Sequence, residues 1–126
     1  AFVHTGSPHH VRWVEQLEDY PVFEQGRLLR HDPCYAPGGS NVNFIQQLGD
    51  AEIFVRTFER GVENETLSCG TGVTAAALVC GVRTQQKDIQ IRTLGGNLQV
   101  TFEGLSQVSG IFQRVVVVES QSVFAE

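Results

Sequence analysis

Short runs rich in β-branched and aromatic residues recur along the chain, separated by glycine, proline and polar residues, and this pattern predicts strands joined by turns. The predicted strands are residues 1–5, 9–14, 41–47, 51–60, 88–93, 97–103 and 112–119. The first six form three strand–turn–strand units, and the second and third units are predicted to be hairpins. The segments 32–40 and 61–68 are rich in proline, glycine or charged residues and are predicted to be loops.

Two segments are predicted to be helical, and they differ in how their apolar residues are arranged. In residues 21–30, apolar residues recur at roughly helical spacing after Pro21, which predicts a short outer helix. Residues 73–80 are almost entirely apolar and are followed by Gly81, the predicted C-cap. A helix without a polar face must be enclosed by other elements. The sequence therefore predicts an α+β domain in which a curved sheet surrounds a central buried helix.

The composition is that of one ordinary globular domain. The chain has 126 residues, a mass of 13.9 kDa and 41% hydrophobic residues, and a chain of this length forms a core without disulfides or metals. Its 9 Lys and Arg against 14 Asp and Glu give a net charge of −5, which disfavours binding to nucleic acid or to an anionic membrane surface. Its apolar runs are far shorter than the roughly 20 residues that span a bilayer, so a soluble protein is expected.

Cysteine usage and the start of the chain give two further expectations. The three cysteines, Cys34, Cys69 and Cys80, cannot all pair with one another and have no metal-ligand spacing. We therefore expect a reducing, cytoplasmic compartment and no metal site. The chain contains no methionine and begins at Ala1, from which we hypothesise that it is one piece of a longer protein.

Cys69 is the main candidate for chemistry because it stands where the buried helix is predicted to begin. The first-turn N–H groups and the helix dipole attract a carboxylate or phosphate, and Gly70 and Gly72 let an anion approach the backbone. The same position lowers the pKa of a thiol from its usual value of about 8.5, which favours a base or a nucleophile. The alternative is a buried apolar cysteine with glycines that only ease packing. The residues alone leave both interpretations open.

Other uses of this glycine-rich segment can be compared by their spacing. A phosphate-binding P-loop needs Lys and then Ser or Thr after its glycines, whereas Gly72 is followed by Val73, and a thiol-dependent phosphatase needs an arginine in the same loop. Both functions are disfavoured. Cys80 is predicted to lie in the core, and Cys34 is interpreted as a residue without a chemical role. A cysteine-protease arrangement stays open because histidines lie upstream, at His4, His9, His10 and His31.

Residues 59–72, with the sequence Glu-Arg-Gly-Val-Glu-Asn-Glu-Thr-Leu-Ser-Cys-Gly-Thr-Gly, resemble the second-half signature of the diaminopimelate epimerase family. Residues 5–9, Thr-Gly-Ser-Pro-His, resemble the family's Gly-Asn-Pro-His turn, and residues 39–44, Gly-Ser-Asn-Val-Asn-Phe, resemble its Val-Asn-Val strand start. Segments 94–96 and 122–124 also follow in the expected order. The resemblance covers essentially the whole chain, and proline racemases and the phenazine-pathway isomerase share parts of it.

The resemblance implies that residues 1–126 are the second, C-terminal lobe of a two-lobed fold, in which each lobe is a mostly antiparallel sheet rolled around a central helix. It implies that diaminopimelate binds between the lobes and is inverted at one α-carbon, from the LL to the meso form, on the way to lysine and peptidoglycan. It also implies that two cysteines do this without pyridoxal phosphate, another cofactor or a metal. One cysteine removes the α-proton, and the other returns a proton on the opposite face.

The same resemblance assigns roles to individual residues. Cys69 is one of the two catalytic cysteines, and His9 and Glu59 tune the ionisation of the thiols. The start of the buried helix binds the α-carboxylate, and the other contacts hold the α-amino, distal and polar groups of the substrate. The implied substrate-binding residues are Ser7, Asn41, Glu59, Arg60, Gly70 and Thr71.

Three departures from the family pattern limit what the resemblance implies. Ser7 stands where the family has Asn, the loop at residues 63–65 is one residue longer, and the first lobe with the second cysteine lies outside these 126 residues. We therefore expect the isolated chain not to epimerise its substrate. Three functions stay open: this epimerase, a related proline racemase or phenazine-type isomerase, and a non-catalytic anion-binding domain. The sequence does not decide whether the full protein is a homodimer.

Overall fold

A computed structural model describes residues 2–4, 8–35, 38–67, 70–102 and 115–120, and within them the side chains of residues 8–35, 38–67 and 70–102. In these ranges the chain forms eight strands, two α-helices and one short 3-10 helix. In chain order they are β1 (Phe2–His4), β2 (Pro8–Trp13), α1 (Val22–Arg30), the 3-10 helix Pro33–Tyr35, β3 (Asn41–Gly49), β4 (Glu52–Glu59), β5 (Asn64–Thr66), α2 (Gly70–Thr84), β6 (Asp88–Thr93), β7 (Gly96–Phe102) and β8 (Val115–Ser120).

The eight strands of the described ranges form one mixed sheet. Their order is β1-β2-β3-β4-β6-β7-β8, and β5 pairs with the end of β4 beside this path. The β2–β3 and β4–β6 pairs are parallel, and the other pairs are antiparallel. Parallel neighbours need a crossover connection, and α1 and α2 lie in these two crossovers. The sheet is therefore mostly antiparallel, as predicted.

The sheet encloses α2. The consecutive residues Ala75, Ala76 and Ala77 are all 0% exposed and point over an arc of about 200° around the helix axis. Their small side chains let the surrounding strands approach the helix closely. The strand residues in the same core are Val11, Ile45, Ile53, Val55, Ile89, Ile91, Val100 and Phe102. The predicted α+β class with a central buried helix is confirmed.

α1 covers part of the opposite face of the sheet. Phe44 of β3 and Phe58 of β4 are 0% exposed and pack in one cluster with Leu17 and Val22. Alternate residues of β3 therefore face two different cores, which explains why the first five residues of that strand are all buried. The other face of α1 meets solvent, with Leu28 64% exposed. The prediction of one buried and one outer helix is confirmed.

All seven predicted strands are present: β6 has the predicted bounds, and the other predicted bounds that fall on described residues differ from the observed ones by at most two residues. The two predicted hairpins are the antiparallel pairs β3–β4 and β6–β7. The first strand–turn–strand unit is the antiparallel pair β1–β2. Its turn, residues 5–7, and the start of the last predicted strand, residues 112–114, lie outside the described residues.

The predicted end of the buried helix was wrong. α2 continues through Gly81 to Thr84, and Gln85 instead adopts the left-handed conformation, with φ of 59°, that often terminates a helix. The Gln85 N–H donates to the Gly81 carbonyl at 2.7 Å, so the last turn is closed without a glycine cap. In the last turn, the Arg83 guanidinium lies 4.3 Å from the ring centre of Trp13. No helix in the described ranges is long and apolar enough to cross a membrane.

Both predicted loops contain short regular elements. Within residues 61–68, β5 pairs with the end of β4, and Glu65 of β5 accepts two hydrogen bonds of 2.7 Å from the Arg56 guanidinium. Within residues 32–40, the Asp32 carboxylate accepts the Cys34 N–H at 3.0 Å and begins the 3-10 helix. Both predictions missed these elements because polar contacts, not apolar periodicity, form them.

We expect Gly26→Ala to lower the free energy of unfolding by about 1–3 kcal/mol. A Cβ atom on Gly26 would lie 2.5 Å from the Cβ of Phe58, so α1 would have to move away from the sheet. Helix propensity alone predicts the opposite change, a free energy of unfolding higher by about 1 kcal/mol, because alanine favours a helix more than glycine does. Urea denaturation of the two proteins measures the difference.

Arg27→Ala is the matched control for this substitution, because Arg27 is the exposed next residue of the same helix. We expect it to change the free energy of unfolding by less than about 0.5 kcal/mol. A Gly26→Ala protein as stable as the wild type, or more stable, would contradict the close packing of α1 on Phe58.

Candidate functional site

Three strands and the start of α2 meet at one end of the sheet. His9 of β2 pairs with Asn41 of β3, and the turn that follows β4 reaches Asn41 through the Arg60 N–H. His9 also contacts Thr71 in the first turn of α2. The predicted site residues found at this end are His9, Asn41, Glu59, Arg60, Gly70 and Thr71. Ser7 and Cys69, the other two predicted site residues, lie outside the described residues.

His9 joins the sheet to the helix. Its side chain is 0% exposed, and its Nε2 atom lies 2.9 Å from the Thr71 hydroxyl oxygen. Its Nδ1 atom lies 2.9 Å from the side-chain amide nitrogen of Asn43. His10 faces the other way, where its ring contacts the Tyr35 hydroxyl and burial lowers its pKa. The two adjacent histidines therefore face opposite sides of the strand, and His9 is the one directed at the start of α2.

Asn43 of β3 connects His9 on β2 to Thr57 on β4. Its side-chain oxygen accepts a hydrogen bond of 2.9 Å from the Thr57 hydroxyl on β4. Asn43 is 0% and Thr57 2% exposed, so these polar groups satisfy one another where water has little access. The Asn43 oxygen also lies 2.5 Å from where a Cβ of Gly72 would be, so only glycine fits at that position of α2. The helix start is thereby held closely against this polar chain.

Asn41 ties two segments of the site together. Its side-chain nitrogen donates to the Pro8 carbonyl at 3.0 Å, and its oxygen accepts the Arg60 N–H at 2.7 Å. The residue is 5% exposed. Its amide therefore fixes the start of β2 relative to the turn that follows β4.

Glu59 and Arg60 lie where β4 ends. Glu59 is the last residue of the strand, is partly buried, and accepts a long hydrogen bond of 3.4 Å from the Thr66 hydroxyl of β5. Arg60 lies in the following turn and is exposed, near Gly38. The two neighbours thus differ in environment, with a carboxylate held at the strand end and a cation turned to the surface.

An ion pair between Glu63 and Arg30 connects the turn after β4 to the end of α1. The Glu63 carboxylate accepts the Gly61 N–H at 2.9 Å and forms an ion pair of 2.9 Å with Arg30 at the end of α1. The Gly61 N–H, together with the Arg30 guanidinium, holds the pKa of Glu63 below its usual value. Glu63 adopts a φ of 58°, which is uncommon for a residue with a side chain. Glu63 therefore anchors the Arg60 turn to α1.

The first residue of α2 is exposed. A Cβ atom placed on Gly70 would meet no atom of the described part of the chain within 4 Å. The first N–H groups of a helix point outward along its axis and carry partial positive charge. This end of α2 can therefore receive a carboxylate at its backbone.

The other two cysteines are poor candidates for a reactive thiol. Cys80 is 0% exposed in the core, as predicted, and burial raises the pKa of its thiol. Cys34 is exposed on the 3-10 helix, and a hydrogen bond to Asp32 raises the pKa of its thiol. Both thiols are thus kept protonated near neutral pH. Within the described ranges, no group of three or more His, Cys, Asp or Glu side chains is arranged to hold a metal ion.

Sequence reasoning missed several residues that shape this site. They are Arg30, Asn43, Thr57 and Glu63. Asn43 had a signal that could have found it: Asn41 and Asn43 are two polar residues at alternate positions of a strand that is otherwise apolar there, and alternate strand residues share a face. The others make contacts between distant segments and had no comparable local pattern.

Comparison with known proteins gives a family for the chain. The family model described as diaminopimelate epimerase matches residues 1–114. A diaminopimelate epimerase of Flavobacterium psychrophilum is 41% identical over 117 residues, which are 91% of this chain and 44% of that protein. A diaminopimelate epimerase of Methanothrix thermoacetophila is 48% identical over 103 residues, 81% of this chain and 36% of that protein. The chain thus spans less than half the length of these relatives.

Solved structures agree on the fold. A putative phenazine biosynthesis PhzC/PhzF protein from Clostridium difficile superposes with a TM-score of 0.58 at 22% identity, over 77% of this chain and 34% of that one. A PhzF family protein of Bacillus anthracis superposes with a TM-score of 0.56 at 20% identity, over 90% of this chain and 34% of that one. At such identities the likeness concerns the fold alone. With the family model matching residues 1–114 of 126, the chain belongs to the diaminopimelate epimerase family.

Proposed function

We propose that this chain is the second lobe of a two-lobed epimerase that inverts one α-carbon of diaminopimelate, between the LL and meso forms. The observation that carries the proposal is the contact between buried His9 and Thr71, which fixes the start of α2 in a chain of this family. That start follows Cys69 directly, so a thiol and a carboxylate-binding helix end come at one place. The partner is the first lobe of the same protein, and the substrate lies between the two lobes.

The reaction needs two acid/base groups on opposite faces of the substrate. The thiolate of one cysteine takes the α-proton and becomes a thiol, while the thiol of the other gives its proton to the opposite face and becomes a thiolate. Cys69 is the group on this lobe, and the elevated thiol pKa values of Cys34 and Cys80 support this choice. Neither pyridoxal phosphate nor a metal is required in this scheme.

The developing negative charge must be stabilised by groups of the protein. In the proposed complex, the α-carboxylate lies at the open end of α2, at Gly70 and Thr71, where backbone N–H groups and the helix dipole act on it. His9 and Glu59 tune the ionisation of the thiols. The remaining polar groups of the substrate are bound by Ser7, Asn41, Glu59 and Arg60.

In this proposal Asn41 has a structural role as well as a substrate-binding role, so only part of its amide is available to the substrate. Its oxygen already accepts the Arg60 N–H and its nitrogen donates to Pro8, which leaves its second N–H as the donor for the substrate. Asn41 would thus orient the Arg60 turn and hold a polar end of the substrate with the same amide.

The proposed pathway is the synthesis of lysine and peptidoglycan precursors in the cytoplasm. The proposal leaves open whether the full protein is a homodimer.

Cys69→Ala in the full-length protein should lower the rate of α-proton exchange by at least about 10²–10⁴-fold, because one of the two proton-transfer groups is lost. Incubating diaminopimelate in deuterated water and following deuterium at the α-carbon by NMR measures this rate. Cys34→Ala is the matched control and should leave the rate unchanged, since Cys34 lies on the exposed 3-10 helix. The isolated 126-residue chain should give no exchange.

Undiminished exchange after Cys69→Ala would refute the assigned role of this cysteine. A full-length protein that leaves diaminopimelate unchanged but isomerises proline-type or phenazine-precursor substrates would identify it as one of the related isomerases. Either result would leave the described fold unaffected.

Cys69 should react with iodoacetamide with a pH midpoint below the reference thiol value of about 8.5, because a helix start stabilises the thiolate. Peptide-resolved mass spectrometry of the full-length protein separates Cys69 from Cys34, whose hydrogen bond to Asp32 should place its midpoint above the usual value. If Cys69 titrates at or above the midpoint of Cys34, the helix start does not activate it, and a non-catalytic anion-binding domain is the better interpretation.

A further inference from the structure

We propose that Arg30 is a positioning residue for substrate binding: it keeps the Glu63 carboxylate paired, so that the neighbouring Arg60 guanidinium stays available for an anionic group of the substrate. One carboxylate and two guanidinium groups meet at the turn that follows β4. The role of Arg30 rests on the proposed function, in which Arg60 binds the substrate, and it adds the reason why that cation is not paired by its own turn.

Arg30, the last residue of α1, is held through two atoms of its guanidinium group. Its Nε atom donates to the Glu63 carboxylate at 2.9 Å, and its Nη1 atom donates to the Gly38 carbonyl at 3.1 Å. The Arg30 side chain is largely buried, with 13% exposed. An arginine side chain is always charged and only donates hydrogen bonds, so the direction of both contacts is unambiguous.

The backbone beside Arg30 is shaped to admit its guanidinium group. Gly39 adopts a φ of 74°, in the left-handed region, and a Cβ atom at this position would overlap the Arg30 guanidinium. The Arg30 carbonyl accepts the Ser40 N–H at 3.2 Å. Residues 38–40 therefore pack on Arg30 and keep its side chain beside Glu63.

Arg60 contacts the same segment but has a different set of partners. Its Nη1 atom lies 3.3 Å from where a Cβ atom of Gly38 would be. The residue is exposed, and among the described residues none forms a hydrogen bond or an ion pair with its guanidinium group. Its backbone N–H, by contrast, is bound by Asn41 at 2.7 Å. The turn thus fixes the backbone of Arg60 and leaves its charge for a ligand.

Glu63 is the carboxylate that would pair with Arg60 if Arg30 were absent. It is exposed and follows Arg60 by three residues in a turn closed by the Glu63 N–H, which donates to the Glu59 carbonyl at 2.9 Å. Side chains three residues apart in such a turn are neighbours. The other cation near this carboxylate is His31, at 3.4 Å, which is charged only when protonated. Arg30 is therefore its permanent partner.

A pair between Arg60 and Glu63 would weaken binding in two ways. The guanidinium would have to leave the carboxylate before it could bind the substrate, and the carboxylate would then repel the anionic group that replaced it. Arg30 prevents both effects, because the charges of Arg30 and Glu63 compensate each other and the charge of Arg60 remains.

Calorimetry with diaminopimelate and the full-length protein in a Cys69→Ala background tests this role without turnover. For Arg30→Gln we expect a dissociation constant about 2- to 5-fold higher, which is the strength of an exposed ion pair that Arg60 would have to give up. Adding Glu63→Gln to this variant should restore the original value, because no carboxylate is left to compete. Glutamine keeps an oxygen for the Gly61 N–H, so the turn stays anchored.

Arg27→Gln is the matched control, because Arg27 is exposed on the same helix and its loss changes the net charge by the same amount. It should leave the dissociation constant unchanged. Arg30→Lys keeps a cation beside Glu63 and should also bind as tightly as the parent protein. A merely structural role of Arg30 predicts the reverse: lysine lacks the fork that joins Glu63 to Gly38 and would weaken binding, and Glu63→Gln would not restore it. Either of these results would overturn the proposal.

The pairing of Arg60 is measured without substrate, by ¹H–¹⁵N NMR of the full-length protein with Arg60→Lys to assign the Nε–H signal. In Arg30→Gln this N–H should exchange with water more slowly than in the wild type, and adding Glu63→Gln should reverse the change. Glu63→Gln alone should leave the exchange rate unaltered.

An Arg60 exchange rate that responds to Glu63→Gln alone would mean that the two groups already pair in the wild type. That result would overturn the proposal even if Arg30→Gln does not fold. The NMR signals need no ligand, so they test Arg30 even if the protein fails to bind diaminopimelate, whereas absence of binding by the parent protein would refute the proposed function.

Discussion

The lack of a polar face on α2 is the constraint on which the rest of the structure depends. A helix with three consecutive fully buried alanines is stable only if strands cover it on several sides, and β2, β3, β4 and β6 do so. The parallel pair β4–β6 agrees with the same requirement, since its strands need a crossover connection and α2 provides it. The burial of this helix therefore determines where its first residue lies relative to the strand ends.

The apolar core fixes the helix axis, and the polar chain at one end fixes its position along that axis. Burying a histidine, an asparagine and a threonine is unfavourable unless each finds its partner, and the contacts His9–Thr71, Asn43–His9 and Thr57–Asn43 provide those partners. A helix displaced by one turn would break the contact to Thr71 and lose the close fit at Gly72. The position of the helix start is thus a consequence of hydrogen bonding as much as of hydrophobic burial.

Much of this fold was predictable from the sequence because runs of apolar and β-branched residues indicate which segments are buried. The buried helix and both hairpins follow from such runs, and the glycines in the first turn of α2 marked the candidate site. The end of α2 at Thr84 was not predictable, since Gln85, a residue type uncommon in the left-handed conformation, adopts it with its N–H bound to the Gly81 carbonyl. Nor was β5, a three-residue strand without apolar alternation whose Glu65 contacts Arg56 on β4.

The polar contacts of the site were beyond sequence reasoning for a different reason. Asn43 and His9 are 34 residues apart, and His9 and Thr71 are 62 apart, so no local periodicity relates them. Only the alternation of Asn41 and Asn43 within an apolar strand indicated that one face of β3 was polar. A single sequence thus shows which residues are chemically unusual, but the donor and acceptor roles that decide their function require the three-dimensional pairing.

The turn after β4 shows how a site segment without apolar contacts can still be held in place. Its three anchors come from different elements: Asn41 binds the Arg60 N–H, Glu63 binds the Gly61 N–H and Arg30, and Thr66 contacts Glu59. Each contact is partly exposed and individually weak, but the three converge on the consecutive residues Glu59, Arg60 and Gly61. Asn41 and Thr66 hold the turn from the sheet, while Arg30 holds it from α1. The geometry of Glu59 and Arg60 therefore depends on the packing of α1 against Phe58, which connects the outer core of the domain to its candidate site.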